Sequence, residues 1–352
     1  RIVFVNGAFE PKLSNLSALP AGVSVRPFPE AWDSKELEQS LARHAETDRN
    51  AFVALNTALF RDGALVEIAD GVALDKPVHV LFVRAGSAEE TVTHPRTLIS
   101  AGREAQATVI ESHLGLGADC YFTNAVTELV IGENASLEHL KLQEEGGGAY
   151  HVGTVQAYQK RSSRLLAHSV SLGSRLARHD VISVLAGEGA ECTLNGLYQV
   201  AGSQHVDHHT RLDHAMPHCA SREYYRGILD GKSAGVFSGA IIVRKDAQKT
   251  DAIQSNKNLL LSEDATINTK PELQILADDV RCTHGATVGQ LNSEAIFYMR
   301  ARGIGLEAAR HLLTRAFAND VIARVRFGPA RERLESTLMA RLSAAWKPDE
   351  VL

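Results

Sequence analysis

Short apolar runs alternate with turns that contain Gly, Asn and Asp through the middle of the chain, from about Gly63 to Gly289. The runs at 107–110 and 137–140 are typical, because each is apolar and β-prone and each follows such a turn. Long helical periodicity is absent from this region and returns only after it. The pattern therefore predicts a mainly β protein with many short strands in its middle.

The turns of this middle region recur at a nearly constant spacing. Successive turns within each of two groups of three begin 14 or 15 residues apart. They begin at Gly102, Gly117, Gly132, Gly173, Gly187 and Gly202. A β-solenoid needs a small residue where every coil turns its corner, so each interval is predicted to be one strand and its corner, or half a coil. An ordinary β-sandwich with Gly-rich loops is the alternative.

The first 62 residues mix short strands with helices. Residues 1–7 have the pattern of a strand that runs into a turn. Asp33 or Ser34 is predicted to cap a helix that continues to about His44, and a second helix is predicted from about Asn50 to Phe60. These residues form a predicted N-terminal α/β segment at 1–62, followed by the solenoid core at 63–290.

Helical periodicity returns at the C-terminus. Asn292 or Ser293 is predicted to cap a helix that stops at Gly303. An apolar stripe at helical spacing follows it, formed by Leu306, Ala309, Leu313, Phe317 and Val321. The sequence thus predicts a C-terminal helical domain at 291–352.

Composition excludes several classes of function. The chain has 352 residues and a formal charge of −5, which gives no electrostatic reason to expect a nucleic acid partner. We find no apolar run of membrane-spanning length and no signal peptide, so no membrane role is expected. The four cysteines form no C-x-x-C pair, which is typical of reduced thiols and predicts a cytoplasmic protein. Because the chain begins with Arg1, we expect a fragment or a processed form.

A glycine-rich segment at 227–233 is close to a phosphate-binding loop but does not match it. The motif needs four residues between its first two glycines, and three separate Gly227 from Gly231. The residues that follow have the pattern of a strand, whereas the motif needs the N-terminus of a helix to hold phosphate. We predict a turn between two solenoid strands here.

A histidine-rich stretch is a candidate for metal binding. Imidazoles and thiols are good ligands for zinc and iron, and six of them lie close together in the sequence. They are His205, His208, His209, His214, His218 and Cys219. Alternate residues of a strand share a face, so His208 and His209 are expected to point in opposite directions. Histidines that pack on or along strands are the alternative to a metal site.

Cys282 and His284 form a second candidate site, near the junction of the strands with the helical end. In a strand these two residues share a face, which makes a thiolate and an imidazole neighbours. Zinc and iron–sulfur centres usually need three or four protein ligands, so the missing ligands would come from another chain. A core cysteine beside a hydrogen-bonded histidine is the alternative.

Ordered motifs in the second half of the chain resemble the signature of the SufB/SufD family, scaffold subunits of the Suf iron–sulfur cluster assembly machinery. They are NLLLS at 258–262, PEL at 271–273, ADDV at 277–280, CTHGATVG at 282–289, FY at 297–298 and RGI at 302–304. Segments at 213–221, 225–227 and 237–239 also resemble the family core. The resemblance covers nearly the whole chain and is closer after residue 190 than before it.

Two departures favour the SufD branch of this family. The SufB branch typically has His-Glu-Ala-Thr where this chain has His284-Gly285-Ala286-Thr287. SufB also tends to carry a cysteine just before its Leu-Leu pair, and residues 254–257 contain none. The resemblance therefore implies that this chain lacks the cluster-building thiol of SufB and is an incomplete scaffold alone.

The resemblance implies a right-handed parallel β-helix core, a flanking N-terminal segment and a C-terminal helical domain. It implies a heterodimer with SufB through the β-helix and an ATPase, SufC, on the helical domain, near Phe297, Tyr298, Arg302 and Gly303. It leaves open whether the chain alone forms a homodimer. An N-terminal helical segment typical of the family is expected upstream of Arg1.

For chemistry, the resemblance implies that His284, with Cys282 beside it, lies at the SufB interface and binds iron or a nascent iron–sulfur cluster transiently. No tightly bound cofactor and no catalysis are expected of the chain alone. One rival is a stand-alone metal-binding protein that uses the stretch from His205 to Cys219. Another is a β-helix carbohydrate lyase, which the low aromatic content of 6% disfavours.

Overall fold

The computed structural model describes residues 1–86 and 91–345. These residues are 48% strand and 17% helix, and they form a β-solenoid of about 8 turns. Two ten-stranded sheets, named here sheet A and sheet B, face each other across the interior of the solenoid, the lumen. The prediction of a mainly β protein with a parallel β-helix core is therefore confirmed.

Successive coils place one strand in each sheet. In spatial order, sheet A consists of β2 (Ala8–Phe9), β1 (Ile2–Val5), β5 (Val78–Arg84), β8 (Gln106–Gly115), β10 (Ser136–Glu144), β12 (Arg164–Ser171), β14 (Glu191–Val200), β16 (Ala220–Leu229), β18 (Asp251–Leu260) and β20 (Arg281–Gly289). Sheet B consists of β19 (Thr266–Ile275), β17 (Ala234–Val243), β15 (His205–His214), β13 (Leu176–Leu185), β11 (Ala149–Gln159), β9 (Tyr121–Ile131), β7 (Arg96–Ala101), β4 (Gly63–Ile68) and β3 (Val23–Pro27). The short β6 (Thr91–Thr93) also pairs with β9.

Among the described residues, helices lie only toward the two ends of the sequence. They are a 3₁₀ turn (Phe28–Glu30), α1 (Lys35–Ser40), α2 (Ala51–Leu59), α3 (Ser293–Arg300), α4 (Leu306–Ile322) and α5 (Gly328–Ala345). Ser34, Asn50 and Asn292 cap α1, α2 and α3, since each side chain accepts a hydrogen bond from a first-turn N–H.

The register confirms that one predicted interval is half a coil. Leu137 of β10 pairs with Leu165 of β12, which in turn pairs with Cys192 of β14. The predicted turns are the corners between the sheets, and Gly231 turns the corner between β16 and β17 with a φ of 66°. The segment at 227–233 is therefore a strand end and a turn, as predicted.

One line of corners carries residues in the left-handed region, including Glu104, Asn134, Ser162 and Lys249 with φ between 52° and 63°. At each of them the N–H donates to a carbonyl of the next coil, as from Asn134 to Arg161 over 2.9 Å. This hydrogen bond continues the ladder through the corner and offsets the steric cost of positive φ in a residue with a Cβ.

The N-terminal segment belongs to both sheets. Its β1 extends sheet A in parallel with β5, and its β3 extends sheet B antiparallel to β4. Helices α1 and α2 cover the outer face of sheet B, where Leu37 packs with Leu65 and Val53 with Val126. The first helix ends at Ser40 rather than near His44, because the N–H groups of residues 42, 44 and 45 donate to Glu128 instead.

Helices α4 and α5 cover the outer face of sheet A. Val321 and Leu334 pack with Leu140, Leu142 and other outward-facing residues of the sheet. The middle strands of sheet A are therefore buried on both faces. The boundaries predicted at residues 62 and 290 stay a prediction, and residues 346–352 of the predicted helical domain lie outside the described residues.

Candidate functional site

The last coil of the solenoid, made by β19 and β20, is not covered by any other described element. We call it the open end. Every residue of β20 and β19 is half-buried or exposed, whereas alternate residues of the preceding strands are buried. Large apolar side chains lie exposed there, including Val288 at 47%, Ile275 at 39% and Leu276 at 57%. The hydrophobic core of the solenoid thus ends without a cap in the described chain.

Strand β20 presents free backbone groups along this edge. The N–H of Arg281 donates to the carbonyl of Thr250, the residue just before β18, so the odd-numbered residues of β20 direct their backbone groups inward, toward β18. In a parallel ladder the alternate residues then direct their N–H and C=O groups outward. Those residues are Cys282, His284, Ala286 and Val288. They offer a template for another strand.

Strand β19 offers a weaker template. The N–H of Thr266 donates to the carbonyl of Ser233, the residue just before β17. Even-numbered residues of β19 therefore direct their backbone groups inward, toward β17, and odd-numbered residues direct theirs outward. Pro271 is one of the outward ones and has no N–H. Proline is tolerated at such an edge because no ladder bond is lost. At the open end, β20 therefore has an unbroken row of outward N–H donors, whereas the row of β19 is interrupted at Pro271.

Cys282 and His284 lie on the lumen face of β20. Their register partners on β18 are Ala252 and Gln254, which are 0% and 1% exposed. His284 is exposed, because no further coil covers it. Burial raises the pKa of the half-buried Cys282 thiol, so the protonated form dominates at neutral pH. The structure places these two side chains together on an accessible face, and their role as ligands stays a prediction.

The candidate partner-binding residues lie on α3 and just after it. Phe297 is 75% exposed and Tyr298 is 59% exposed, and α3 has no buried residue. The guanidinium of Arg302 stacks on the Tyr298 ring at 3.3 Å from its centroid, and Gly303 turns the chain with a φ of 82°. An exposed aromatic pair on an uncovered helix is typical of a protein-binding surface.

The histidine-rich stretch does not converge. His208 is fully buried in the lumen, where its Nε2 lies 3.0 Å from Ser171 Oγ, while His209 faces outward and pairs with Asp207. Burial lowers the pKa of His208 to about 3, so it is neutral. His214 bonds Ser221, and His218 is exposed at a corner. These contacts favour the structural alternative over a metal site.

Sequence reasoning missed a polar cluster inside the lumen. Glu111 is 1% exposed, with its Oε1 2.8 Å from His113 Nε2 and 3.6 Å from Lys141 Nζ. Burial alone raises the pKa of Glu111, but Lys141 and His113 outweigh burial and hold that pKa well below its ordinary value. Glu145 pairs with His151 at 2.7 Å in the same way. In the sequence, the sign of this cluster is that polar residues occupy alternate positions of strands that are buried in the structure.

A third lumen carboxyl, Glu223 of β16, has no ion pair within residues 1–86 and 91–345. It is 0% exposed and accepts hydrogen bonds from Thr210 Oγ1 at 2.5 Å and from Gln254 Nε2 at 2.8 Å. Burial raises its pKa to about 7. Glu223 therefore lies one coil behind Gln254, which lies one coil behind His284.

No group of three or more His, Cys, Asp or Glu side chains is arranged for a metal ion in the described part of the chain. The open end supplies two donors, an imidazole and a thiol. A transition metal usually needs at least one more protein ligand, so this arrangement holds iron or a cluster only if another molecule adds ligands. Within the same residues, no helix is both long and apolar enough to span a bilayer.

Two family models match the chain. Residues 83–317 match the model described as "SUF system FeS cluster assembly, SufBD core domain". Residues 1–80 match the model described as "SufBD protein N-terminal region". The matched ranges include the open end, α3 and most of α4.

Several known proteins are similar over most of the chain. An "Iron-sulfur cluster assembly SufBD family protein" of Synechocystis is 36% identical over 97% of this chain and 77% of its own length. The "Iron-sulfur cluster assembly protein SufD" of Escherichia coli is 32% identical over 97% of this chain and 78% of its own. The "Protein ABCI7, chloroplastic" of Arabidopsis thaliana is 32% identical over 77% of this chain and 58% of its own.

Proposed function

Because the chain belongs to the SufBD family of iron–sulfur cluster assembly proteins, we propose that it is a non-catalytic, cytoplasmic scaffold subunit of the Suf system. In this proposal it pairs with SufB through the open end and docks the SufC ATPase on its helical domain. The observation that carries the proposal is the uncovered last coil, which exposes apolar side chains and His284 on one face.

The pairing with SufB is proposed to run along β20. A solenoid that ends without a cap exposes apolar core and unpaired backbone, and natural proteins cover such edges. A second β-helix that abuts the open end would satisfy the outward N–H groups of β20 and bury Val288 and Ile275. The contact would also enclose Cys282 and His284 between the two subunits.

His284 is proposed to be an imidazole ligand to iron or to a forming cluster, the cargo of the complex. SufB would add thiolate or carboxylate ligands. Cys282 would be a neighbour of this site, and its thiol, whose pKa is raised by burial, must lose its proton before the sulfur can bind iron. Imidazole suits a temporary site, because a cluster that is handed onward must not be held by four thiolates. Hydrolysis of ATP by SufC would reorient the helical domains and open this interface.

SufC is proposed to bind the surface that Phe297 and Tyr298 expose on α3. Aromatic residues dominate the binding energy of protein interfaces. A cleft of about 270 Å³ lies next to this helix, lined by Leu261, Leu291, Ile296 and other residues. It would receive an apolar side chain of the partner.

Replacing Phe297 by Ser is expected to weaken SufC binding by about 30-fold or more, the loss of roughly 2 kcal/mol that defines an interface hot spot. SufB binding should be unchanged, because Phe297 lies on α3 and not on the free edge of β20. Co-expression of the chain with SufB and SufC, followed by size-exclusion chromatography, measures both contacts in one experiment.

Leu116→Ser is the matched control, since Leu116 is 71% exposed and lies on another surface. This variant should keep all three subunits together. A Phe297→Ser complex that retains SufC at wild-type stoichiometry would exclude this docking surface. Failure of the wild-type chain to form any complex would contradict the proposed function itself.

A second candidate, a stand-alone metal protein that uses the stretch from His205 to Cys219, has little support. His208 and His209 lie on opposite faces, and the buried thiol of Cys219 donates to the carbonyl of Gly187. The carbohydrate lyase alternative has none, since the family models match an assembly protein.

A further inference from the structure

Three lumen side chains of successive coils lie side by side, namely Glu223, Gln254 and His284. Glu223 pairs in register with Gln254, and Gln254 pairs in register with His284. Neighbouring strands are about 4.8 Å apart, so side chains at paired positions on one face lie within reach of each other. The row therefore connects a buried carboxyl to the exposed imidazole through one amide.

The amide of Gln254 is held at one end only. Its Nε2 donates to Glu223 Oε2 at 2.8 Å. Its Oε1 is buried and has no hydrogen-bond partner within the described residues, although Gln254 is 1% exposed. A buried carbonyl oxygen without a donor is costly, which indicates that a donor is supplied in the working state. Because Nε2 donates to Glu223 of the preceding coil, Oε1 is the amide atom available to the following coil, which carries His284.

Glu223 keeps this amide from turning over. Its second oxygen, Oε1, accepts from Thr210 Oγ1 at 2.5 Å, so the carboxyl itself is fixed from the facing sheet. Space is also limited, because Gln254 Nε2 lies 2.4 Å from the position that a Cβ on Gly239 would occupy. A glycine at 239 thus leaves room for the amide, and the amide has one favourable orientation while Glu223 is ionised.

We propose that Gln254 is a positioning residue for His284: its carbonyl oxygen accepts the hydrogen bond of one imidazole N–H and leaves the other ring nitrogen free for iron. Glu223 acts through Gln254 by holding the amide in the orientation that presents oxygen. This inference rests on the proposed function for the identity of the metal, but the hydrogen bond itself does not. Groups of this kind fix the tautomer and direction of metal-binding histidines.

The first test needs no metal and is made both on the isolated chain and on its complex with unlabelled SufB, because the structure shows no hydrogen bond between Gln254 Oε1 and His284. The chain is labelled with ¹⁵N-histidine, and long-range proton–nitrogen NMR spectra report the tautomer of each imidazole. The signal of His284 is identified by its loss in His284→Gln. One tautomer is expected to dominate in the wild type, and Gln254→Met, which keeps the size of the side chain, is expected to give a mixture of both.

Two variants of Glu223 separate hydrogen bonding from packing. Glu223→Gln can still accept from Gln254 and should keep the wild-type tautomer, whereas Glu223→Leu releases the amide and should give the mixture. A His284 tautomer that is the same in wild type, Gln254→Met and Glu223→Leu would overturn the proposal. If Glu223→Leu keeps the wild-type tautomer while Gln254→Met does not, Glu223 has no part in orienting the amide.

The second test measures iron in the complex with SufB and SufC. Gln254→Met is expected to lower the iron affinity by about 10- to 100-fold, the usual effect of removing such a supporting group. Unchanged affinity with a changed tautomer would contradict the link to iron. If the His284→Ala complex also keeps the wild-type iron content, the proposed function fails. The NMR test still decides separately whether Gln254 fixes the tautomer of His284.

Discussion

Replacing Arg96 by Met is expected to lower the free energy of unfolding by about 3–5 kcal/mol, the cost of leaving one partner of a buried ion pair alone. Arg96 and Glu128 both have fully buried side chains and pair with each other. Arg96 also donates to Asn56 and Thr57, and Glu128 accepts from the backbone of residues 42 and 45. The variant would leave a buried carboxylate beneath the N-terminal segment.

Urea denaturation followed by circular dichroism measures this loss. Arg161→Met is the matched control, since Arg161 pairs with Glu133 at 3.6 Å on the surface, with 68% and 42% of the side chains exposed. An exposed pair contributes less than about 1 kcal/mol. Equal losses in the two variants would contradict the view that this buried pair fastens the N-terminal segment to the solenoid.

Replacing Ala286 by Pro is expected to weaken pairing with SufB by at least about tenfold, while the chain itself stays folded. The N–H of Ala286 faces the free edge of β20, so proline there removes no hydrogen bond of the monomer. In the complex it leaves a carbonyl of the partner without a donor, which costs about 1–3 kcal/mol, and its ring meets the partner strand.

Co-purification with SufB and the circular dichroism of the isolated chain give the two readouts for this variant. Ala286→Ser keeps the N–H and a small side chain, so it should pair like the wild type. Wild-type pairing of Ala286→Pro would show that β20 is not the edge that binds. Unfolding of the isolated variant would contradict the hydrogen-bond pattern described for β20.

The repeat of the solenoid could be predicted because it has a local cause. Each coil needs a turn of the same kind, and turns leave a sequence signal in Gly132, Gly187 and their equivalents. Helix caps could be predicted for the same reason, as at Ser34 and Asn292. The early end of α1 could not, because Glu128, 88 residues beyond Ser40, takes the N–H groups that would have continued it.

The lumen cluster could not be predicted because the alternation in β10 gives the wrong orientation. In Leu137-Glu138-His139-Leu140-Lys141-Leu142, a half-exposed strand would place Leu140 and Leu142 inward and Lys141 in water. The structure does the reverse, since α4 and α5 cover the outer face and Leu140 packs against them. Lys141 then lies in the lumen with Glu111.

The candidate site was accessible to sequence reasoning only in part. Spacing alone predicted that Cys282 and His284 share a face of a strand, and they do. Their exposure depends on β20 being the last strand of sheet A, which no local pattern reveals. The link from His284 to Gln254 and Glu223 spans two coils, so it follows from the register and not from the sequence.

The most direct test of the proposed role is the iron and sulfide content of the complex, purified anaerobically after co-expression with SufB and SufC. His284→Ala is compared with the wild type and with His218→Ala, which removes an exposed imidazole at a corner two coils behind the open end. We expect all three chains to form the complex and only His284→Ala to lose its iron and sulfide. Wild-type iron and sulfide in the His284→Ala complex would contradict the assignment of His284 as an interface ligand.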